Sequence, residues 1–328
     1  MVRTEGQGLD VKDRQILYAL DRNARQPLAA LGRAAKVSKQ VAAYRLQGLL
    51  ERGIVKGFIT VPNVSKFGFK SHKLLLRFQN LGPEKEAELI RYFIKNPAVG
   101  WIVRCVGRWD VVLVVWSKDD LDFAAFLQEL ENRYGAYILE RDISVMLSVH
   151  YYFRSYLAGR ERRETDYFLL EGVPQGVVKT DETDVKLVQL LSQNARASLA
   201  ELAEKLDMTG PAVNYRLRRL LNEGAILGFR PSLNLPALGF QYYKVFFRLQ
   251  NLTASREKQL FRYFGQHPNI TYATKSIGAS NVEIEVEIED ALKFNALLMD
   301  LRKQFADIVR DYDSLLIYEE YKHGHMPG

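Results

Sequence analysis

Apolar residues recur at helical spacing three times near the start of the chain. Ile16, Leu17 and Leu20 share one face of residues 10–20, with Asp10 placed to cap the helix. A second helix is predicted over residues 28–35. A third starts after Ser38 and puts Ala42, Leu46, Leu49 and Leu50 on one face, leaving Lys39, Gln40, Ala43, Tyr44 and Gln47 on or near the other. Gly53 stops it, and residues 54–61 read as a strand that supplies either a wing-like hairpin or a connecting strand. From residue 73 the pattern alternates between strand and helix: strand 73–80, helix 83–95, strands 99–106 and 110–117 joined through Gly107, helix 121–134 and strand 138–152. That order, βαββαβ, gives an antiparallel sheet with both helices on one face. The other face needs a cover.

The whole pattern returns 171 positions later. Asn23, Ala24 and Arg25 recur as Asn194, Ala195 and Arg196; Tyr44, Arg45 and Leu46 recur as Tyr215, Arg216 and Leu217; Gly107 recurs as Gly278. In the second copy Ser198 and Glu201 form a capping-box pattern, Thr209 replaces Ser38 as cap, and Pro211 stands in the first turn, where its missing amide proton does no harm. The predicted architecture is α+β: helix-turn-helix units at 9–61 and 180–232, βαββαβ units at 66–152 and 237–321, and a linker at 153–179. The linker carries a mixed charge run at 160–164 and a breaker cluster at 172–176, and its segment 167–170 is suited to docking on a neighbouring domain.

Charge separates the copies. The 328 residues carry a net +7, which permits a polyanionic partner without requiring one. Residues 9–60 hold ten basic and four acidic residues, a net +6, whereas 180–231 hold seven of each. Because phosphate neutralisation supplies most nonspecific affinity for double-stranded DNA, the first unit is the expected anchor. Arg25, Arg33, Lys36, Lys39, Arg52 and Lys56 are its candidate phosphate contacts; Gln40, Tyr44 and Gln47 are candidates for base edges, with Ser38 and Ala43 beside them. The second unit offers Thr209, Asn214, Tyr215, Arg218 and Arg219, and the Asn and Arg side chains suit adenine and guanine. Glu201, Glu204 and Asp207 crowd that helix, so the second unit either binds DNA more weakly or binds a protein of the transcription machinery. Arg45 and Arg216 either face DNA or pair with acids such as Asp13 and Asp184.

Residues 281–289 alternate strictly, which places Val282, Ile284, Val286 and Ile288 under the helices and Glu283, Glu285, Glu287 and Glu289 on the opposite face. The expected partners are Lys244, Arg248 and Lys275 on neighbouring strands, with Lys73 and Arg77 reaching across from the first half. The matching face of the first half is apolar, with Val112, Val114 and Trp116. A single cysteine, Cys105, excludes an intrachain disulfide framework and reads as a buried thiol. Residues 1–8 lack an apolar core, and no run approaches the roughly 18 apolar residues of a membrane span, so a cytoplasmic protein away from the membrane is expected. His72, His150, His267, His323 and His325 do not form a metal-ligand spacing, and no nucleophile motif or phosphate loop stands out. No metal, cofactor or catalytic set is expected.

The ordered motif set Ser38, Arg45, Leu46, Leu49, Gly53, Ile54, Val55 and Gly57, followed by Gly107, Arg108, Trp109 and Asp110, returns in the second half as Thr209, Arg216, Leu217, Leu220, Gly224, Ala225, Ile226 and Gly228, followed by Gly278, Ala279, Ser280 and Asn281, and resembles the Lrp/AsnC feast/famine regulators. The resemblance implies winged helix-turn-helix DNA-binding units, ferredoxin-like units that assemble as dimers and sense effectors, and here a covalently fused pseudo-dimer, itself able to form homodimers. It also implies an amino-acid effector site at Gly107, Arg108 and Asp110, with Gly278 and Asn281 as the second copy. Asp110 then either holds an α-ammonium group or caps its turn, and Asn281 lacks the charge for the former. Two rivals remain open. Siroheme decarboxylases are similar in fold, and the resemblance to them implies a histidine-bearing hairpin, whereas residues 101–110 and 272–281 contain no histidine. An adaptor would hold DNA with one unit and a protein with the other.

Overall fold

The computed structural model describes residues 8–323 and Met326; His325 and residues 1–7 lie outside the described set. The first half runs α1 (Val11–Arg22), α2 (Leu28–Ala35), α3 (Lys39–Glu51), β1 (Val55–Pro62), β2 (Lys70–Phe78), α4 (Pro83–Lys95), β3 (Val99–Val106), β4 (Val111–Ser117), α5 (Asp120–Tyr134) and β5 (Ile138–Tyr152). A strand β6 (Tyr167–Glu171) follows. The second half repeats the order: α6 (Glu182–Gln193), α7 (Leu199–Leu206), α8 (Gly210–Asn222), β7 (Ile226–Leu233), β8 (Gln241–Leu249), α9 (Ala254–Gln266), β9 (Ile270–Gly278), β10 (Val282–Ile288), α10 (Ala291–Gln304) and β11 (Val309–Lys322). The capping residues act as their types dictate. Asp10 accepts from the Asp13 amide at 2.9 Å, Ser38 from Val41 at 3.2 Å, and Ser198 and Glu201 cap each other's amides reciprocally.

The strand after the third helix is a connecting strand. β1 crosses to the other half and pairs antiparallel with β7. Ile59 lies opposite Arg230, its own repeat equivalent, and Thr60 lies opposite Phe229 while Phe58 lies opposite Pro231, so a pseudo-twofold axis passes through the Ile59–Arg230 pair.

The two four-stranded sheets join edge to edge. β3 pairs with β11 and β9 with β5, which together with the β2–β5 pairing closes the order β2-β4-β3-β11-β8-β10-β9-β5 into a ring. Each uncovered face is thus buried against its repeat. Outside the ring, Leu74, Leu76 and Leu113 pack with Leu89 and Phe126 of the first helix pair, and Val282, Ile284 and Val286 pack with Leu260 and Phe294 of the second. Inside, Trp101, Val112, Val114 and Trp116 of the first half face the glutamates of β10. Cys105 is a buried thiol, pushed up to about 12 by burial.

Buried carboxylates demand partners, and Lys244 supplies one at 3.0 Å from Glu283 and 2.7 Å from Glu285. Lys73 reaches Glu283 from the other half, and Tyr242 bonds Glu285. The other expected pairings fail for reasons of pleat and proximity. Lys275 lies opposite Val282, so it points to the helix face and meets Glu257 at 2.6 Å. Arg248 takes Asp311, its cross-strand neighbour, and Arg77 takes Glu140. Glu289, past the end of the strand, pairs with Lys293 at the surface. Glu287 is claimed by Arg154 at 2.8 Å and by Tyr156, both from the segment expected to be a linker.

That segment is built into the fold. β6 extends the edge of β5, and Asp166 bonds Arg22 at 2.6 Å. The buried guanidinium of Arg162 donates to the carbonyls of Gly265, His267 and Pro268 at 3.0 to 3.1 Å, capping the end of α9. His323 is likewise held in place, 2.9 Å from Glu320, which also accepts from the Trp101 indole at 2.7 Å. No helix among the described residues is long and apolar enough to cross a membrane.

Burial alone would raise the Glu283 carboxyl, but Lys73 and Lys244 outweigh it and hold the group at about 2; desolvation would likewise raise the half-buried Glu320, which His323 and Trp101 hold at about 2. Both folded values lie below the ordinary 4.5. Their stabilising contribution is therefore complete above about pH 4.5 and lost as pH falls towards about 2. Thermal melts should show Tm falling steeply from pH 4.5 downwards, with a shallower fall in the Glu283→Gln, Glu320→Gln double variant. Parallel curves for the two proteins would refute this assignment.

Candidate nucleic-acid interface

α3 and α8 each bury one face and present the other. Ala42, Leu46 and Leu49, and their counterparts Val213, Leu217 and Leu220, are buried, while Tyr44 is 82% and Tyr215 69% exposed. An aromatic ring held this far into solvent on a helix gains no packing in the isolated chain. Around Tyr44 the side chains of Ser38, Lys39, Gln40, Val41 and Gln47 are exposed, Ala43 is half-buried, and Gln47 bonds Glu51 at 2.9 Å. Arg33 and Lys36 are exposed on the preceding helix and its end, where Lys36 takes the left-handed conformation (φ 55°) that closes α2; Arg52 is exposed beyond α3. Around Tyr215, Thr209 and Arg218 are exposed and Asn214 is half-buried.

The two open arginines turn out to be pillars of the helical units. Arg45 bonds Asp10 and Asp13, both at 2.8 Å, and Arg216 bonds Asp181 at 2.7 Å and Asp184 at 2.8 Å. Arg219 also turns to Asp184, because that buried carboxylate has two oxygens and Arg216 uses only one. This takes Arg219 from the exposed set and leaves Arg218.

Arg25 has a different task from the phosphate contact expected of it. It is half-buried and donates to the carbonyls of Ala195 at 2.6 Å and Ala197 at 2.8 Å in the other half, while its guanidinium stands over the Phe229 ring. Arg196 does the reverse, donating to Ala24 and Gln26 and standing over Phe58. The backbone reinforces this exchange through Ala24 to Phe229 at 2.8 Å and Ala195 to Phe58 at 3.0 Å. The repeated Asn-Ala-Arg motif was the visible signal of this clamp. Lys56 is exposed too, but on β1, where it borders a groove with Leu235, Glu319 and Glu320 rather than the α3 surface.

The hairpin motif lies where each half meets the last strand of the other. Gly107 (φ 147°) packs on Ser314 and Leu315, and Gly278 (φ 131°) on Ile143 and Ser144. A Cβ at Gly278 would run into the Ile143 backbone, so glycine is required there on steric as well as conformational grounds; at Gly107 the left-handed backbone is the requirement, since a Cβ would meet mainly the movable end of the Leu315 side chain. Asp110 accepts from the Phe78 amide at 2.7 Å, and Asn281 accepts from Leu249 at the same distance. Each therefore ties its hairpin to the end of the neighbouring strand, β2 or β8, rather than capping its own turn, and for that bond an uncharged amide oxygen suffices. Arg108 lies 3.4 Å from Asp313 across the seam and 3.7 Å from Glu140 of its own half. Within the ring a cavity of about 60 Å³ is bordered by Ser71, Lys73, Trp101, Tyr151, Tyr272 and Glu285, room for a few water molecules. Four buried residues that anchor the halves, Asp21, Arg154, Arg162 and Arg230, were not foreseen. The mismatch of Arg230 with Ile59, its equivalent in the repeat, was the available clue.

Residues 9–50 match the AsnC-type helix-turn-helix domain, and residues 180–226 match a winged helix-turn-helix DNA-binding domain. An uncharacterized HTH-type transcriptional regulator of Pyrococcus furiosus is 31% identical over 108 residues, covering 33% of this chain and 72% of that protein. The HTH-type transcriptional regulator LrpB of Bacillus subtilis is 25% identical over 151 residues, covering 44% of this chain and 100% of that one, so one whole relative corresponds to one half. Among solved structures, the siroheme decarboxylase NirDL superposes with a TM-score of 0.61 over 97% of this chain and 94% of its own, at 12% identity, a likeness of fold alone.

The reciprocal arginines give a test that needs no ligand. Arg25→Ala or Arg196→Ala should each lower the unfolding free energy by about 1.5–3 kcal/mol, the range for hydrogen bonds made by a charged group. Urea denaturation measures this, and a loss below about 0.5 kcal/mol, the scatter of ordinary surface substitutions, would mean that the clamp is idle.

Proposed function

This chain belongs to the Lrp/AsnC family, and we propose that it is a DNA-binding transcriptional regulator in which one polypeptide supplies both halves of the regulatory dimer. The observation that carries this reading is the pair of exposed faces around Tyr44 and Tyr215, on helices related by the pseudo-twofold axis through Ile59 and Arg230. Such a pair suits two half-sites in the major groove. Arg33, Lys36, Lys39 and Arg52 then meet phosphates, and Gln40, Tyr44 and Gln47 meet base edges. In the second unit Asn214 and Arg218 are the readers, and with Arg216 and Arg219 tied to acids its hold on phosphate is the weaker one. This unit contributes sequence discrimination or contacts the transcription machinery, while the first supplies most of the affinity.

The ring of strands serves as the rigid body that fixes the two helical units, and the hairpin seam is the proposed entry for a small-molecule effector. An ammonium group there would meet the Asp110 carboxylate oxygen that Phe78 does not engage. The enzyme reading draws on the NirDL-like fold, but the hairpins at 101–110 and 272–281 offer no histidine, and the ring cavity is water-sized.

Duplexes selected by the protein from a random pool provide the probe. Lys39→Ala should lower the slope of log affinity against log salt by about 0.9, the share of one phosphate contact, while Arg25→Ala should leave it unchanged. The Asn214→Ala, Arg218→Ala double variant should relax sequence preference in one half-site and weaken binding less than the Lys39→Ala, Gln40→Ala double variant. Failure to retain any duplex at 50 mM salt, together with saturable binding of an iron tetrapyrrole, would replace this reading with the enzymatic one.

A further inference from the structure

The repeat exposes one surface on which the halves differ in occupancy. In the first half the chain's own β6 lies along the edge of β5, with Val149 opposite Leu170 and Ser148 opposite Glu171. Just beyond, Gly172 donates to the Leu147 carbonyl at 3.0 Å and accepts from the Ser71 amide at 2.8 Å. Phe168 covers Gly228 so closely that a Cβ there would run into the ring. This added strand completes the edge that β2 leaves.

Adding 171 to these positions leads to a vacant counterpart. Tyr318, Glu319 and Glu320 of β11 stand where Leu147, Ser148 and Val149 stand in β5, and Tyr242 stands for Ser71. β8 pairs with β11 only as far as Ile317, and β3 occupies the opposite edge. Among the described residues no strand continues along the β8 side. Gly57, the equivalent of the covered Gly228, has open space where a Cβ would point. A groove of about 540 Å³ runs here, bordered by Leu233, Leu235, Phe240 and Leu316. A strand edge left open beside an apolar groove is a template for another extended chain.

Charge indicates what that chain carries. In the filled groove Glu171 of the added strand meets Lys66 at 3.2 Å. In the open groove the position of Lys66 is Ala237, that of Lys118 is Glu289 and that of Ser148 is Glu319. The filled groove accommodates an acid; the open one is bordered by Glu289, Glu319 and Glu320 against a single lysine, Lys56, and of the three acids Glu289 is paired with Lys293 and Glu320 with His323, which leaves Glu319 to meet a cation. We propose that the free edge of β11 receives an extended segment of a partner protein, which places an aromatic side chain over Gly57 and a lysine or arginine beside Glu319.

The probe is a fluorescent peptide with the sequence of residues 165–174 carrying Glu171→Lys, titrated into the full chain and followed by anisotropy. It should saturate, and bind about fivefold to tenfold more tightly than the peptide with the native glutamate, the difference between attracting and repelling one exposed charge. Glu319→Lys in the protein should reverse that preference. Gly57→Phe, which fills the slot from within at a position free of left-handed strain, should abolish binding of both peptides without lowering Tm. Absence of saturation up to millimolar peptide, or equal affinity of the two peptides, overturns the proposal. Self-association in sedimentation that Gly57→Phe dissolves would also overturn it, by identifying a second copy of this chain as the occupant.

Discussion

The two halves are locked together by a carboxylate that water never reaches. Asp21, at the end of α1, is fully buried; it accepts from Arg230 of the opposite half at 2.8 Å and from the side chain and amide of Arg154, each at 2.7 Å. Arg154 continues to Glu287 on β10. One alternating chain of charge thus ties a helical unit, the central strand pair, the segment after β5 and the ring. Burial presses the Asp21 carboxyl upwards, and the two arginines bring it below the usual carboxylate range. Such a cluster is a poor source of net stability, because desolvation offsets most of the attraction. Its leverage is specificity, since removing one member strands the others at a cost of about 3–5 kcal/mol.

The inside of the ring follows the same rule. The first half gives an apolar face and the second an acidic one, and Lys73 is the residue that crosses between them. Burial pulls the Lys73 ammonium down to about 8, and Glu283 beside it is what keeps it charged near neutrality. A shifted register would leave these charges facing Val112 or Trp116. The apolar wall therefore acts as negative selection against misalignment, while the reciprocal arginines Arg25 and Arg196 fix the helical units around the axis.

Local features were legible in the sequence because they depend on neighbours a few positions away. The caps at Ser38 and Thr209, the helix from Pro83 to Lys95 and the alternation along β10 follow from spacing alone. The repeat added topology, since an uncovered face occurring twice implies burial against itself. Contacts between halves were not legible. Arg25 looks like any basic residue near a recognition helix until the carbonyls of Ala195 and Ala197 come within reach. Lys275 reads as a partner of the β10 glutamates, yet its register against Val282, set by a pairing the sequence does not state, turns it to the helix face.

The axis itself explains why a single chain can do what two identical ones cannot. In a symmetric dimer the residue on the twofold meets its own copy, so position 59 or 230 would present two isoleucines or two arginines. Two isoleucines leave no cation for Asp21, and two buried arginines side by side repel each other in a site with little water to screen them. Joining the halves in one polypeptide allows Ile59 to face Arg230, and Ser192 to stand where its counterpart is Asp21, so that one charge pair is made rather than two in conflict. The same freedom lets the helical units diverge, one basic and one neutral, on a frame that still presents them as a pair.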